Sequence, residues 1–115
     1  MGQYAEAEII VSFNEGVKAK QFAKIINNFH EELKKRRISK GLDIDFDTNI
    51  DSVDVDFTFV TIRLSSSRVQ NTEWQCDEIF DIAKGEFKEF ITEFDANVTT
   101  PYGYIYWNSQ DDDEE

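Results

Sequence analysis

The spacing of the apolar residues changes along the chain, and the order of those changes restricts the fold more than any other feature. Apolar and polar side chains alternate over residues 5–13, as they do in a half-buried β-strand. Between residues 16 and 37 the large apolar residues recur every three or four positions, at Phe22, Ile26, Phe29 and Leu33. That spacing predicts an amphipathic helix. The first third of the chain is therefore predicted to be a strand followed by a helix.

The remaining two-thirds repeat this alternation between strand and helix patterns. Residues 42–47 alternate strictly, residues 48–52 are typical of a turn, and residues 53–64 alternate again, which predicts a β-hairpin. The positions of the apolar residues shift by one after Phe59, and a bulge or a change of covering layer near Phe59 would explain that shift. A second amphipathic helix is predicted from apolar residues stepping by three or four, at Cys76, Phe80, Ala83, Phe87, Phe90 and Phe94.

The predicted order of elements is completed by a last strand over residues 102–107. The resulting βαββαβ order is typical of ferredoxin-like sandwiches, in which two helices cover one face of an antiparallel sheet. The chain has 115 residues, of which 40% are hydrophobic, enough for one ordinary core. We therefore expect a single α+β domain over residues 1–110, and a disordered acidic tail over residues 111–115.

Negative charge dominates the composition. The chain has 24 Asp and Glu against 12 Lys and Arg, for a net charge of -12. Residues 41–115 carry nineteen of the acids and four of the bases. Such a field repels phosphates and anionic lipid headgroups, so neither direct nucleic-acid binding nor membrane binding is expected. The basic run at residues 34–37 falls at the C-terminal end of the first predicted helix, where positive charge interacts favourably with the negative end of the helix dipole. We therefore interpret it as a structural feature of the helix and not as a nucleic-acid site.

If the helices cover the apolar face of the sheet, the acidic residues of its strands gather on the opposite face. Seven carboxylates are predicted there, namely Glu6, Glu8, Asp43, Asp45, Asp47, Asp54 and Asp56. Like charges on neighbouring strands repel one another and destabilise a sheet. We interpret this crowding as a sign of a partner that supplies positive charge. Three partner-binding aromatic residues are predicted to flank the carboxylates, namely Tyr102, Tyr104 and Tyr106, and of these Tyr104 and Tyr106 are the candidate anchors.

Several interpretations of the acidic residues remain open. The predicted acidic sheet face could be a solvated surface that prevents edge-to-edge aggregation. It could also be a cation site, since residues 43, 45, 47, 49, 51 and 54 follow a calcium-loop register, although Thr48 replaces the required glycine. A different docking surface could lie on the outer face of the second helix, at Asp77, Glu78, Asp81, Glu89 and Glu93.

The interpretation we favour is a non-enzymatic inhibitor or decoy. In this hypothesis the acidic face imitates the charge of nucleic acid and blocks the basic surface of a nucleic-acid-handling protein. Phage anti-restriction and anti-CRISPR proteins are similar to this chain in size and charge. The alternative is a structural or regulatory adaptor that binds a protein through exposed aromatic residues. We expect a cytoplasmic location, which is the host cytoplasm if the chain is phage-encoded.

Catalysis and cofactor binding have little support in the sequence. The chain has one His and one Cys, so an intramolecular disulfide and a multi-Cys zinc site are excluded. His30 falls on the first predicted helix and Cys76 on the apolar stripe of the second. No Gly-rich phosphate loop or nucleophile motif is present. We therefore predict no catalytic residues, no metal ligands and no cofactor.

Overall fold

The computed structural model describes residues 5–100 and 103–108, with the side chains of residues 5–99. The five strands are β1 (Ala5–Phe13), β2 (Ile50–Asp56), β3 (Phe59–Ser66), β4 (Ile91–Thr100) and β5 (Gly103–Asn108). The helices are α1 (Gly16–Asn27), α2 (Phe29–Ser39) and α3 (Val69–Glu86), and a short 3-10 turn follows at Lys88–Phe90. The described chain is thus an α+β domain, as predicted. The predicted tail, residues 111–115, lies outside the described residues.

The strands form one antiparallel sheet in the order β2-β3-β1-β4-β5. β1 lies at its centre, and its odd-numbered residues from Ala5 to Phe13 are all buried, as their alternation predicts. The helices cover this face. Phe13, Phe22 and Phe87 pack with ring centroids 5.4–6.0 Å apart. The opposite face of the sheet carries most of the polar residues of β1 to β4. We call it the open face.

The first predicted helix is two helices in the structure. Asn28 separates them, with φ -114° and ψ 36°, and its N–H donates to the carbonyl of Ile25 at 3.1 Å. An asparagine side chain competes for backbone hydrogen bonds and so tolerates such a break. The predicted apolar stripe is confirmed, because Phe22 and Ile26 on α1 and Phe29 and Leu33 on α2 are all buried. The prediction of two helices is wrong, since the described chain has three α-helices.

The predicted strand over residues 42–47 is also wrong. Residues 42–49 form an irregular segment without a neighbouring strand, and Leu42 and Ile44 are exposed. Contacts with the helices hold the segment instead. Leu42 N donates to the carbonyl of Arg37 at 2.8 Å, and Arg37 Nε donates to the carbonyl of Asp43 at 2.6 Å. The hairpin is formed by β2 and β3, whose turn at Phe57 and Thr58 accounts for the change of apolar phase.

The second predicted helix ends earlier than its apolar spacing suggests. α3 ends at Glu86, and Phe94 lies in β4, where it pairs with Val11 of β1. Phe94, Ala96 and Val98 alternate in burial with their neighbours, as a strand requires. The steps of three and four at Phe87, Phe90 and Phe94 therefore span a helix end, a 3-10 turn and a strand. No helix in the described part of the chain is long and apolar enough to cross a membrane.

Candidate functional site

Four of the seven predicted face carboxylates share the open face. Glu6 and Glu8 alternate with the buried residues of β1, and Asp54 and Asp56 lie on β2 opposite Thr61 and Phe59 of β3. Glu8 lies opposite Arg63 of β3. Residues two apart on a strand are about 6.8 Å apart, and neighbouring strands are about 4.8 Å apart. The four carboxylates therefore lie on a regular lattice that the backbone holds in place.

Three further carboxylates on this face were not predicted there. Glu93 and Asp95 of β4 lie opposite Ser12 and Ile10 of β1, and Asp51 accepts a hydrogen bond from Ser65 Oγ at 2.8 Å. The alternation of polar and apolar residues over 93–98 could have revealed β4, but the overlapping helical spacing hid it. We define the acidic face as the seven carboxylates of Glu6, Glu8, Asp51, Asp54, Asp56, Glu93 and Asp95.

Arg63 is the single base on the strands of this face among the described residues. Its Nη2 lies 2.8 Å from Glu8 Oε2, and its Nη1 lies 3.9 Å from Asp54 Oδ2. The side chain is 53% exposed, so each ion pair stabilises the fold by about 1 kcal/mol or less. Within the described strands, one guanidinium is thus shared by two of the seven carboxylates, and the face keeps a net negative charge.

Crowding of charge is clearest at Glu93 and Asp95. A hydrogen bond with the Asp95 side chain, and then the charge of that carboxylate, raise the pKa of Glu93 above its ordinary value. Two ionised neighbours repel, so Glu93 keeps its proton to a higher pH than an isolated glutamate does. A cationic group from another molecule would relieve this repulsion. The pair therefore shows that carboxylates are crowded on the acidic face.

The other three predicted carboxylates are not on this face, which corrects the prediction. Asp43, Asp45 and Asp47 lie in the irregular segment against the helices. Asp45 N donates to Asp43 Oδ1 at 3.0 Å, so part of this cluster serves the local turn. The prediction failed because residues 42–47 do not form a strand. An alternating segment becomes a strand only where it can pair with a neighbouring strand, and β2, which pairs with β3, begins only at Ile50.

The predicted tyrosine anchors fall at the edge of the described chain. Tyr102 lies outside the described residues. The backbone register pairs Tyr104 with Thr99 and Tyr106 with Asn97 of β4. Thr99 and Asn97 belong to the open face with Glu6 and Glu8, their partners on β1. The backbone pairing of Tyr104 and Tyr106 thus places these two residues next to the acidic face. Their role as anchors stays a prediction.

The two alternative acidic sites do not come together as single clusters. Of the calcium-loop register, Asp51 and Asp54 lie in β2, and the earlier positions lie in the irregular segment. No group of three potential ligands for a metal ion occurs among the residues the structure describes. Of the predicted outer helix face, residues 77, 78 and 81 lie on α3, but Glu89 lies in the 3-10 turn and Glu93 in β4.

The chemically reactive residues lie away from the acidic face. Burial raises the pKa of the Cys76 thiol to about 12, and the charges of Asp77 and Glu73 add to the effect. The thiol is therefore protonated and unreactive at neutral pH. His30 packs against Phe46 with the rings tilted by 46° and their centroids 4.9 Å apart, and its Nδ1 lies 3.3 Å from Thr48 Oγ1. These contacts attach the irregular segment to α2.

Comparison with known proteins adds one remote similarity. No protein-family model matches the chain, and no curated protein matches it. The fold is similar to part of the crystal structure of A. aeolicus tRNASec in complex with M. kandleri SerRS, with 11% sequence identity and a TM-score of 0.43. The similarity covers 84% of this chain and 20% of the other. The chain thus spans about a fifth of that protein's length, and a similarity this low carries no functional argument.

Proposed function

We propose that this chain is a non-enzymatic protein-binding domain whose acidic face occupies the basic nucleic-acid-binding surface of a partner protein. The observation that supports the proposal is the balance of charge on the open face. Among the side chains that the structure describes, seven carboxylates share it with one arginine. An ordered array of this kind complements a Lys- and Arg-lined groove and speeds association with it. The partner would then be unavailable to nucleic acid, which makes the chain an inhibitor or decoy.

A solvated face that only prevents aggregation is the competing explanation. Such a face needs charged residues chiefly on its edge strands. Here Glu6 and Glu8 lie on the central strand β1, and Glu93 and Asp95 lie on β4, which is paired on both sides. Mixed charges or neutral polar residues would keep these positions soluble with less repulsion. Their placement therefore supports a function in binding.

The proposal is tested by reversing charge on two surfaces separately. The Asp54→Lys, Asp56→Lys variant changes the acidic face, and the Asp77→Lys, Asp81→Lys variant makes the same change in net charge on α3. Each is immobilised and exposed to nuclease-treated extract from the native host, and bound basic proteins are eluted with a salt gradient. We expect the first variant to lose the salt-sensitive partner and the second to keep it. Equal retention of the partner by the first variant and wild type contradicts the proposal.

We further infer that the fold is a ferredoxin-like sandwich with two departures. β3 lies between β1 and β2, and β1 lies between β3 and β4. The connection from β1 to β2, through α1 and α2, therefore passes over β3, and the connection from β3 to β4, through α3, passes over β1. Each is a split βαβ unit, in which a third strand lies between the two that the helices connect. The departures are the break of the first helix at Asn28 and the added edge strand β5. Equivalent crossovers in an experimental structure would support this assignment.

A further inference from the structure

The end of the β2–β3 hairpin carries an exposed apolar patch. The side chain of Phe57 is 84% exposed, that of Val17 on α1 is 62% exposed, and that of Val55 on β2 is 39% exposed. With Gly16, Lys20 and Thr58 they line a shallow cleft of about 670 Å³. A contiguous apolar patch beside charged residues marks an interaction site more often than a chance exposure.

The backbone of Phe57 makes its exposure more informative. Its φ is 59°, in the left-handed region, and no other residue except Gly41 has a positive φ in the described chain. A bulky residue is strained there, and glycine is the residue that a two-residue hairpin turn prefers at such a position. The side chain of Phe57 thus lowers the local stability of the turn, and it remains almost entirely exposed to solvent. An outlier of this kind indicates a function outside the fold.

The turn is held firmly in place. Phe13 N donates to the carbonyl of Thr58 at 2.9 Å, which ties the turn to the end of β1. Asp56 and Phe59 close the ladder next to it. Binding through this turn would require little additional ordering of the chain, and pre-organisation of this kind favours affinity.

The apolar patch adjoins the acidic face. Asp56 is the last residue of β2 and directly precedes Phe57 in the turn, and Phe59, 48% exposed, lies on the open face opposite Asp56. Val55, opposite Val60, and Val17 of α1 lie on the helix-covered side of the hairpin, so the patch and the acidic face meet at the turn. We propose that Phe57, Val17 and Val55 form an apolar anchor that inserts into an apolar recess bordered by Lys and Arg on the partner. This inference rests on the proposed function, because the same basic partner faces the acidic face. A net charge of -12 disfavours both an anionic membrane and a second copy of this chain as the occupant.

Two synthetic peptides of equal length and charge serve as probes of this chemistry, one alternating Lys and Leu, the other alternating Lys and Gly. Both are titrated against wild type, Phe57→Gly, Asp54→Lys with Asp56→Lys, and Ile38→Ser. The last is a control that removes an apolar residue of α2 that is 61% exposed. The readouts are the dissociation constants and each variant's melting temperature.

We expect wild type to bind the Lys–Leu peptide about tenfold more tightly than the Lys–Gly peptide, which corresponds to about 1.4 kcal/mol. Phe57→Gly should lose that preference, keep its affinity for the Lys–Gly peptide and melt no lower than wild type. Ile38→Ser should keep the preference. An undiminished preference in Phe57→Gly, or none in wild type, overturns the anchor. A mass that rises with concentration in wild type and not in Phe57→Gly also overturns it, in favour of self-association.

The charge-reversed variant separates this inference from the proposed function. It should bind both peptides more weakly in low salt and keep the ratio between them. If its affinities equal those of wild type, the acidic face is not the binding surface and the proposed function fails. If they fall but Phe57→Gly behaves as wild type, the function stands and the anchor is wrong.

Discussion

Two residues with positive φ give opposite predictions for stability. Phe57 has φ 59° and Gly41 has φ 72°. Phe57→Gly relieves a strained side chain, so the free energy of unfolding should rise by about 1 kcal/mol. Gly41→Ala imposes that strain and should lower it by about 1 kcal/mol, although no atom lies within 4 Å of the added Cβ. Urea titrations of the two variants measure both changes. A less stable Phe57→Gly would mean that the ring stabilises the fold.

The acidic pair on β4 predicts a dependence of stability on pH. The pKa of Glu93 is raised in the folded state by Asp95, so the folded chain binds this proton more tightly than the unfolded chain does. Its contribution to stability is present below the ordinary pKa of 4.5 and is lost as the pH rises through the folded-state pKa. Glu93→Gln removes this loss, so its stability relative to wild type should increase between acidic and neutral pH. Parallel pH profiles of the two unfolding free energies would contradict the coupling.

The burial of Cys76 predicts how the thiol reacts. Since burial raises its pKa to about 12, the folded protein should not react with a thiol-specific reagent at pH 8, while the urea-unfolded protein should react at once. The measurement is the rate of labelling with and without denaturant. Rapid labelling of the folded chain would show that α3 opens readily or that the thiol is accessible.

At the scale of elements, a buried glutamine attaches the irregular segment to α3. Gln75 is fully buried. Its Oε1 accepts from Asn49 N at 2.8 Å, and its Nε2 donates to the carbonyl of Asn71 at 3.3 Å. Gln75→Ala leaves the Asn49 N–H without its partner, so the free energy of unfolding should fall by about 1–3 kcal/mol. Gln70→Ala on the exposed side of α3 is the control and should change little. Equal stability of the two variants would contradict this role for Gln75.

The elements also show where the amino-acid sequence suffices to predict structure. The central strand β1 and the apolar stripe of α1 and α2 were predicted because one buried face repeats without interruption. The segment 42–47 was mispredicted because alternation reports local pattern, whereas a strand also needs a neighbour. β4 was missed because Phe90 and Phe94 satisfy helical spacing by coincidence, and pairing with β1 decides the outcome. Tertiary context of this kind overrides local preference.

The same causes explain the partial prediction of the candidate site. Glu6, Glu8, Asp54 and Asp56 were placed on one face correctly, since they alternate with apolar residues in true strands. Asp51 joins them only through the bulge in β2, which no local pattern reveals. Glu93 and Asp95 join them through β4, whose alternation was hidden by the overlapping helical spacing. The exposed ring of Phe57 also depends on the exact position of the turn.

Over the whole described molecule, negative charge is concentrated on the open face of the sheet, where few of the described side chains are basic. Arg36 of α2 pairs with Glu32 on the same helix at 3.1 Å and with Glu86 of α3 at 2.6 Å, while the described part of the acidic face has one guanidinium for seven carboxylates. One ion pair thus joins α2 to α3, whereas the open face of the sheet is strongly negative. Such a division is expected of a surface whose counter-charges belong to another macromolecule.

The most direct test of this account is a competition measurement on the complex of this chain with the basic protein captured through the acidic face. The nucleic acid that the partner binds is titrated into the complex, and the masses of all species are recorded. We predict mutual exclusion, with this chain released as nucleic acid binds and no ternary species formed. A stable ternary complex, with the chain and the nucleic acid bound to the partner together, would contradict the account.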